Sequence, residues 1–361
     1  MADTSAATGL TVQQWDAKFY KEYLEQNRFK HGMGTSQNSI IQVKEDLTKK
    51  PGDSLTYALV NKLSGAGVTG SSTLEGNEEA LDSRSFKVTV DQIRNAVRVS
   101  TLEEQFSSIG LRQAARSTLK DWIMEKTRDD IIAAMSSING VAYGSASEAQ
   151  KDAWLVDNVD RVLFGALVGN DSGPGDHSAA LANIDNTADK LTPGAVNLMK
   201  RIALTADPKI RPIRTTEDER WYVLYCNSLV FRDLAANSDM QTANRDARAR
   251  GENNPLFSGG DLMWDGVIIK DIPDIPVTGA VGAGSIQVAP AYLCGAQAVA
   301  MGWASRTKTV TEEFDYGDKH GVACAEIRAI EKMTFGSGSG DTDDLKDHGM
   351  VTGFFAAVAD A

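Results

Sequence analysis

A long polar stretch between two strand-like runs constrains the fold of this chain more than any other feature. Residues 59–79 read LVNKLSGAGVTGSSTLEGNEE and are spaced by glycines. The flanking runs Leu55–Leu59 and Phe86–Val90 alternate large apolar residues with polar or small ones, which is the period of a β-strand. The pattern predicts a long β-hairpin with little core beneath it, so we expect contacts outside its own subunit to order it.

The strand pattern changes phase shortly after the hairpin. Val90 lies at an even position, whereas Ile93 and Val99 lie at odd ones. Because a shift of one residue turns every side chain to the opposite face of a strand, we expect a bulge or a bend near Asp91–Gln92.

The glycine stretch has an alternative interpretation. Gly65-Ala66-Gly67-Val68-Thr69-Gly70 fits G-x-G-x-x-G, the fingerprint of a dinucleotide-binding turn. That interpretation requires a helix directly after the glycines, with its N-terminus at the pyrophosphate. Residues 71–79 contain one large apolar residue, Leu74, and their glutamates would place negative charge where phosphate should lie. The sequence therefore favours a hairpin tip, with a nucleotide-binding enzyme as the alternative.

The clearest helical pattern covers residues 108–137. Leu111, Ala115 and Leu119 recur at helical spacing, with Lys120 on the opposite side. Asn139-Gly140 supplies the stop. A helix of about 30 residues is about 45 Å long, which suits an elongated domain.

Shorter patterns follow along the rest of the chain. They predict helices near residues 150–168, at Pro193–Leu204 and over the small residues Ala291–Ala300, strands at Trp221–Cys226 and Met350–Val358, a hairpin over residues 255–278, and a flexible linker at Gly336–Gly340.

Charge and composition limit the partners of the chain. Its 361 residues carry a formal net charge of −12, which argues against a basic surface for nucleic acid. The same charge suits a protein that must stay near nucleic acid at high concentration without binding it. No apolar run approaches the ~20 residues that cross a bilayer, and the start, MADTSAATGL, lacks the features of a signal peptide. We therefore expect no membrane partner and a reducing cytoplasm for the cysteines at 226, 294 and 324.

No residue pattern predicts a catalytic site, a metal site or a cofactor. The four histidines are scattered, without a second ligand at metal-binding spacing; they are His31, His177, His320 and His348. Ser117–Lys120 matches S-x-x-K, but the partner motifs are missing and the four residues lie on the predicted helix. Asp341, Asp343 and Asp344 lack the EF-hand pattern and are expected to form a solvated turn. We predict that the protein is not an enzyme.

The N-terminal region carries an aromatic segment with Trp15, Phe19 and Tyr20. Aromatic rings can stack on bases, but basic residues are sparse around these three. We predict that they pack on a partner subunit.

Several stretches carry a resemblance to one family. They are Ile40–Leu47, Pro51-Gly52-Asp53, Leu63-Ser64-Gly65 through Leu74–Leu81, Arg94–Val99, Ala115–Trp122, Leu293–Ala298 and Phe314–Lys319. The family that they resemble is the N4-like major capsid proteins of tailed phages. The resemblance covers roughly residues 15–355, and residues 40–81 are its most specific part.

The resemblance implies a fold class and a function. The fold is α+β, the tailed-phage/herpesvirus major capsid fold with an N-terminal arm, an extended β-hairpin loop, a peripheral domain with a long spine helix, and an axial domain. The function is a structural major capsid protein that self-assembles into the icosahedral shell around the genome of a tailed bacteriophage. A cellular protein-shell compartment of the same fold is an alternative that would enclose a cargo enzyme instead of DNA.

The predicted elements map onto that fold in chain order. The predicted parts are an N-terminal arm at 1–40, the extended loop and flanking strands at 41–107, a peripheral domain with the spine helix at 108–190, an axial domain at 191–285, and a return to the peripheral domain with the C-terminal strand at 286–361.

Assembly is the mechanism that the resemblance implies. Subunits are expected to form pentamers and hexamers in the virion capsid, after assembly in the host cytoplasm, with portal and scaffolding proteins as partners and decoration proteins as an open alternative. The residues predicted to contact a neighbouring subunit lie in the N-terminal segment and in the hairpin tip. They are Trp15, Phe19, Tyr20, Leu63, Gly65, Gly67, Gly70, Leu74, Glu78 and Glu79.

Overall fold

The computed structural model describes most of the chain. The described residues are 27–48, 52–63, 65, 67–71, 73–107, 109–171, 175–214, 219–247 and 262–360.

Within these residues the chain forms seven α-helices and seventeen β-strands. The strands are β1 (Met33–Gly34), β2 (Ile41–Lys44), β3 (Ser54–Val60), β4 (Ser83–Thr89), β5 (Asp91–Ser100), β6 (Val162–Phe164), β7 (Ile213–Arg214), β8 (Arg220–Cys226), β9 (Leu262–Trp264), β10 (Val267–Asp271), β11 (Gly279–Ala280), β12 (Gln287–Cys294), β13 (Val299–Phe314), β14 (Lys319–Lys332), β15 (Thr334–Ser337), β16 (Asp343–Asp347) and β17 (Met350–Ala356). The helices are α1 (Thr101–Phe106), α2 (Leu111–Ser136), α3 (Glu148–Asp157), α4 (His177–Ala182), α5 (Pro193–Thr205), α6 (Ser228–Ala235) and α7 (Ser238–Ala247). Short 3₁₀ turns lie at Arg28–Gly32, Asp46–Thr48, Val168–Asn170, Ala283–Ser285 and Asp315–Gly317.

The chain divides into two compact units. One comprises Met1–Asn27, Gln92–Thr127 and Ser305–Ile327, and the other comprises Arg28–Asp91, Arg128–Ala304 and Arg328–Ala361. We refer to them as the smaller and the larger unit.

A mixed sheet organises the larger unit, in the order β6-β17-β12-β8-β10-β9, with β7 beside β8 and β11 beside β12. Its centre is buried on both faces. Along β8, Leu224 packs into one core with Met199 of α5, whereas Val223 packs into the opposite core with Met135 of α2. A strand covered on both faces is apolar throughout, which is why Trp221–Cys226 could be predicted as a buried strand. That prediction is confirmed.

Several other sequence predictions are confirmed. The long helix is α2, with 26 residues, and Asn139 and Gly140 after it both have positive φ. Helix α5 begins at Pro193 behind a Thr192 N-cap. The described part of the 255–278 hairpin is β9 and β10, and β17 is the predicted last strand.

The predicted change of strand phase marks a change of partner. Strand β4 pairs with β3, whereas β5 lies beside β14. Val90 stands between β4 and β5 and donates its N–H to the carbonyl of Asp53 at 3.0 Å. The bend therefore turns the chain from the hairpin into another sheet.

The predicted helix over Ala291–Ala300 is wrong. These residues form the end of β12, a turn, and the start of β13. Their small size reflects close packing: a Cβ on Gly295 would lie 2.4 Å from the carbonyl oxygen of Arg211. Alanine favours helices by propensity. In this run, however, small residues are required because a neighbouring backbone lies close to them.

Two further predictions are corrected. The helix near residues 150–168 ends at Asp157, and β6 follows it. Gly336–Gly340 is not a flexible linker, because it lies in β15 and in the turn to β16, where Gly338 and Gly340 have φ of +73° and +81°. Glycine is required there by the left-handed backbone of a tight turn.

The described part of the smaller unit has a core of its own. The apolar stripe of α2 contributes Leu119 and Ile123, which pack against Val322 and Cys324 of β14. The stripe predicted from Leu111, Ala115 and Leu119 is thus the buried side of the helix. Lys120 on the opposite side is exposed.

Candidate assembly surfaces

The predicted hairpin is formed by β3 and β4, which pair antiparallel with Tyr57 opposite Phe86. Its base is seated on a core of the same unit. The buried members of that core are Leu55, Tyr57, Val88, Ala300 and Met333. The expectation of little core beneath the hairpin is therefore wrong for its base, where inward-facing residues of both strands are buried.

Tyr57 fixes the base in place. Its hydroxyl lies within hydrogen-bonding distance of the carbonyl oxygens of Gln42 (3.4 Å) and Met301 (3.3 Å). The Lys44 ammonium lies 4.1 Å from the centre of the Tyr57 ring, a cation–π contact. Burial raises the pKa of Tyr57, so the phenol stays a neutral donor.

The tip begins where Asn61 and Asp82 close the ladder. The Asn61 N–H donates to the Asp82 carbonyl at 2.9 Å, and the Asn61 side-chain amide donates to the Asp82 carboxylate at 2.9 Å. Beyond them, the Gly65 N–H donates to the Glu79 carboxylate at 2.7 Å. We call residues 61–82 the hairpin tip. Within it, the Asn77 N–H donates to the Leu74 carbonyl at 2.9 Å, and the Gly76 N–H donates to the Glu78 carboxylate at 2.8 Å.

The structure places seven of the predicted contact residues together in this tip: Leu63, Gly65, Gly67, Gly70, Leu74, Glu78 and Glu79. Leu63 and Leu74 are 60% and 62% exposed. Gly67 and Gly70 have positive φ, and a Cβ on either would meet no heavy atom within 4 Å. The glycines serve backbone conformation, and the leucines present apolar surface to the outside.

The alternative of a dinucleotide-binding turn lacks its structural context. The described residues of the hairpin tip form neither helix nor strand, and the first helix after Gly70 is α1 at Thr101. The Gly65 N–H, which a bound phosphate would need as a donor, donates instead to the Glu79 carboxylate.

Trp15, Phe19 and Tyr20 lie outside the described residues. The described end of the predicted N-terminal arm is built into the core of the larger unit. Phe29 and Ile40 are buried in one cluster, and the Phe29 ring lies 4.8 Å from the Tyr225 ring.

A contact between the hairpin and the turn after β15 was not predicted. The Asp341 carboxylate accepts hydrogen bonds from the Ser85 N–H (2.8 Å) and hydroxyl (2.6 Å) of β4. The Arg84 guanidinium lies 3.9 Å from the other carboxylate oxygen. The hydrogen bonds from Ser85, and then the charge of Arg84, lower the pKa of Asp341.

An exposed apolar surface on the smaller unit was also missed. Leu102 and Phe106 stand one turn apart on α1 and are largely exposed, and Tyr316 and, to a smaller extent, Phe314 are exposed at the turn between β13 and β14. The two segments meet where the Thr101 N–H donates to the Asp318 carbonyl at 2.8 Å. The i, i+4 spacing of Leu102 and Phe106 was the available sequence signal. Grouped exposed apolar side chains are typical of contact surfaces.

Among the described residues, one group of three acidic side chains comes close enough to hold a cation: Glu148, Asp152 and Asp176, with ligand atoms within 4.8 Å of one another. Two of the three also have a structural task. Asp176 caps α4 by accepting the Ala179 N–H at 2.9 Å, and Asp152 accepts the His177 N–H at 2.9 Å.

A cavity of about 620 Å³ in the larger unit is lined mainly by apolar and aromatic side chains, including Trp154 and Tyr292. Its Lys332 ammonium lies 2.8 Å from the Asp347 carboxylate, and both side chains are buried. The Asp347 carboxylate thus balances the charge of the buried lysine. No helix in the described part of the chain is long and apolar enough to span a membrane.

The sequence profile of the family described as "Phage capsid protein" matches residues 3–358. The major capsid protein of Pseudomonas phage KPP25 is 28% identical over 364 residues, which is 95% of this chain and 94% of that protein.

Solved capsid structures are similar over the whole chain. The Cyanophage Pam1 capsid asymmetric unit matches with 35% identity, a TM-score of 0.86 and complete coverage of both chains. The capsid of Ralstonia phage GP4 matches with 22% identity, a TM-score of 0.79 and complete coverage of both chains. These similarities confirm the predicted α+β capsid fold. The N4-like assignment stays a prediction.

Proposed function

The chain belongs to the phage capsid protein family and is a structural subunit of a phage shell, and we propose that its hairpin tip is the arm that reaches a neighbouring subunit. The similarity to the Cyanophage Pam1 capsid, complete over both chains at 35% identity, carries the assignment to a shell. The hairpin base packs on a core and the leucines at its tip are exposed. Both observations support the proposal that the tip reaches a neighbouring subunit.

The proposed mechanism is the addition of many modest contacts. Rings of five and six subunits need heterologous interfaces whose rotation closes. Burying one leucine side chain of the tip in a neighbour contributes about 2 kcal/mol. Each subunit in a ring gives and receives such a contact, so closed rings gain more than open chains. Gly67 and Gly70, which have open space around them, let the tip adapt to non-identical positions.

The domain assignment and the remaining partners belong to the same proposal. We assign an N-terminal arm to 1–40, the extended loop with its flanking strands to 41–107, peripheral regions to 108–190 and 286–361, and an axial domain to 191–285. The partners are further copies in pentamers and hexamers, portal and scaffolding proteins, and decoration proteins as an open alternative. A net charge of −12 supports only non-specific proximity to packaged DNA. Assembly takes place in the host cytoplasm, and the subunit performs no enzymatic step.

Electron microscopy of the protein expressed alone, after size-exclusion chromatography, tests the shell. We expect closed particles or rings of five and six subunits. A stable monomer, even when the phage's other head proteins are co-expressed, would contradict the proposal. DNA inside native particles separates a virion shell from a cellular compartment, which would hold a cargo enzyme.

Leu74→Asp tests the arm. The exposed Leu74 is expected to lie in apolar surface of a neighbour, where a carboxylate is strongly disfavoured. We expect folded subunits with an unchanged melting temperature and at least a tenfold loss of assembled particles. Leu74→Met, which keeps the apolar character, is the matched control and should assemble. Normal assembly of Leu74→Asp would contradict the placement of the hairpin tip in a subunit interface.

A further inference from the structure

The turn between β15 and β16, together with the strand ends that flank it, has a tightly determined backbone. Gly336 has no room for a side chain, because a Cβ there would lie 2.2 Å from the carbonyl oxygen of Asp341. Asp341 and Asp344 both have left-handed backbones, with φ of +55° and +47°. Such positive φ values are uncommon outside glycine. The turn therefore presents the Asp341 carboxylate in a defined direction.

That carboxylate is directed at the hairpin. Ser85 stands opposite Ala58 in the β3–β4 ladder, and its N–H donates to Asp341 rather than to β3. The Ser85 hydroxyl donates to the same oxygen. The Asp341 side chain is only 18% exposed, so these charge-assisted hydrogen bonds are partly shielded from water.

The Ser85–Asp341 contact lies between the hairpin base and the hairpin tip. On one side of it the hairpin base is seated through Tyr57 and Val88. On the other side the Asn61–Asp82 pair closes the ladder and the hairpin tip begins. Phe86 adds an edge contact to Phe335 of β15, with ring centres 6.2 Å apart. The hairpin therefore leaves the core against β15 and its turn.

We propose that Asp341 is a positioning residue that fixes the angle at which the hairpin leaves the subunit, and through that angle the curvature of the shell. The inference rests on the proposed role of the hairpin in assembly. An extended strand rises about 3.3 Å per residue, so a rotation of about 10° at Ser85 moves a point ~10 residues away by about 6 Å. A displacement of that size changes which part of a neighbour the hairpin tip meets.

Hydrogen exchange on the unassembled subunit, resolved to single amides, tests the Ser85–Asp341 contact directly. Asp341→Gly removes the carboxylate and keeps a residue that tolerates the left-handed backbone. We expect exchange at the Ser85 amide to accelerate by about tenfold, because its acceptor is lost. Ser85→Ala removes only the hydroxyl donor and should produce a smaller acceleration across Ser83–Thr89.

Asp344→Gly is the matched control. Asp344 has the same left-handed backbone and the same charge, but its carboxylate accepts from Ser337 of its own turn at 3.0 Å. We expect little change at Ser85 in this variant. Equal acceleration in Asp344→Gly and Asp341→Gly would assign the effect to a looser turn and overturn the role of the carboxylate.

Particle diameters measured by electron microscopy supply the second readout. Wild-type and Asp344→Gly subunits should give one narrow distribution, and Asp341→Gly should give a broader one or aberrant particles. Faster exchange with unchanged diameters would overturn the proposal, as would unchanged exchange. If wild-type protein builds no shells under any condition, the proposed function fails, while the exchange experiment still decides whether Asp341 holds the hairpin.

Discussion

At the residue scale, His177 shows how burial sets a protonation state. Its ring is 1% exposed and lies edge-on to the rings of Phe164 and Phe354, with centres 5.8 and 5.5 Å away. Burial, reinforced by the charge of Lys151, lowers the pKa of His177 to about 4, against the opposing carboxylates of Asp152 and Asp176. The neutral imidazole is therefore part of the folded core.

This burial predicts a loss of stability in mild acid. The unfolded state binds the His177 proton at about pH 6.5 and the folded state only at about pH 4, so stability is complete above pH 6.5 and falls between the two values. From pH 7 to pH 5 we expect a loss of about 2 kcal/mol from this residue. Chemical denaturation at both pH values measures it.

His177→Gln keeps a polar side chain that does not titrate, so its pH dependence should be shallower than that of the wild type by this amount. His348, whose pKa burial and two arginines also lower to about 4, should add a separate contribution that His348→Gln removes. An identical pH dependence in wild type and His177→Gln would show that folding does not lower the pKa of His177.

At the element scale, the Gly336–Gly340 run shows that glycine has two opposite structural uses. As a sequence, GSGSG is typical of a flexible linker. In the fold, the same glycines permit positive φ at Gly338 and Gly340 and let Gly336 approach Asp341 closely. The run therefore builds a turn that holds β15 and β16 in register.

Gly336→Ala distinguishes these two uses. A Cβ there would overlap the Asp341 carbonyl oxygen, and backbone cannot yield as a flexible side chain does. We expect destabilisation of about 1–3 kcal/mol, read as a lower melting temperature. Ser339→Ala, in the same run, should change it by less than about 0.5 kcal/mol. A linker would tolerate both substitutions equally.

At the scale of the whole molecule, the chain combines a buried interior with exposed apolar residues, as is expected of a subunit that assembles. The centre of the larger sheet is buried on both faces, whereas Leu63, Leu74 and Leu81 of the hairpin tip are exposed. A stable interior allows one subunit to enter many positions in a shell, and the exposed apolar tip is the proposed source of the contacts.

Protection from hydrogen exchange should therefore depend on assembly only at the surface. Amides of residues 61–83 should exchange rapidly in free subunits and at least tenfold more slowly in shells, because a neighbour then covers them. Amides of β8, which are buried in the subunit, serve as the internal control and should not change. Equal protection of the tip in both states would falsify its placement across a neighbour.

The sequence by itself determined the elements whose periodicity reports local burial. The hairpin strands, the phase change near Asp91–Gln92, α2, α5 and β8 could be predicted because alternating or helical spacing marks the buried face of one element. The hairpin tip was predicted from its long run of glycines and polar residues, and the contact role of Leu63, Gly65, Leu74 and Glu79 stays a prediction. The resemblance to capsid proteins then supplied the fold class and the function.

Only the tertiary structure decided the features that depend on residues far apart in the chain. Gly295 is small because Arg211 lies against it, and this overrode the helix propensity of the Ala291–Ala300 run. The Ser85–Asp341 contact joins residues separated by 256 positions, and no local period records such a pair. Periodicity states which face is buried, but the identity of the neighbour, and the direction in which it holds the hairpin, arise when distant segments pack together.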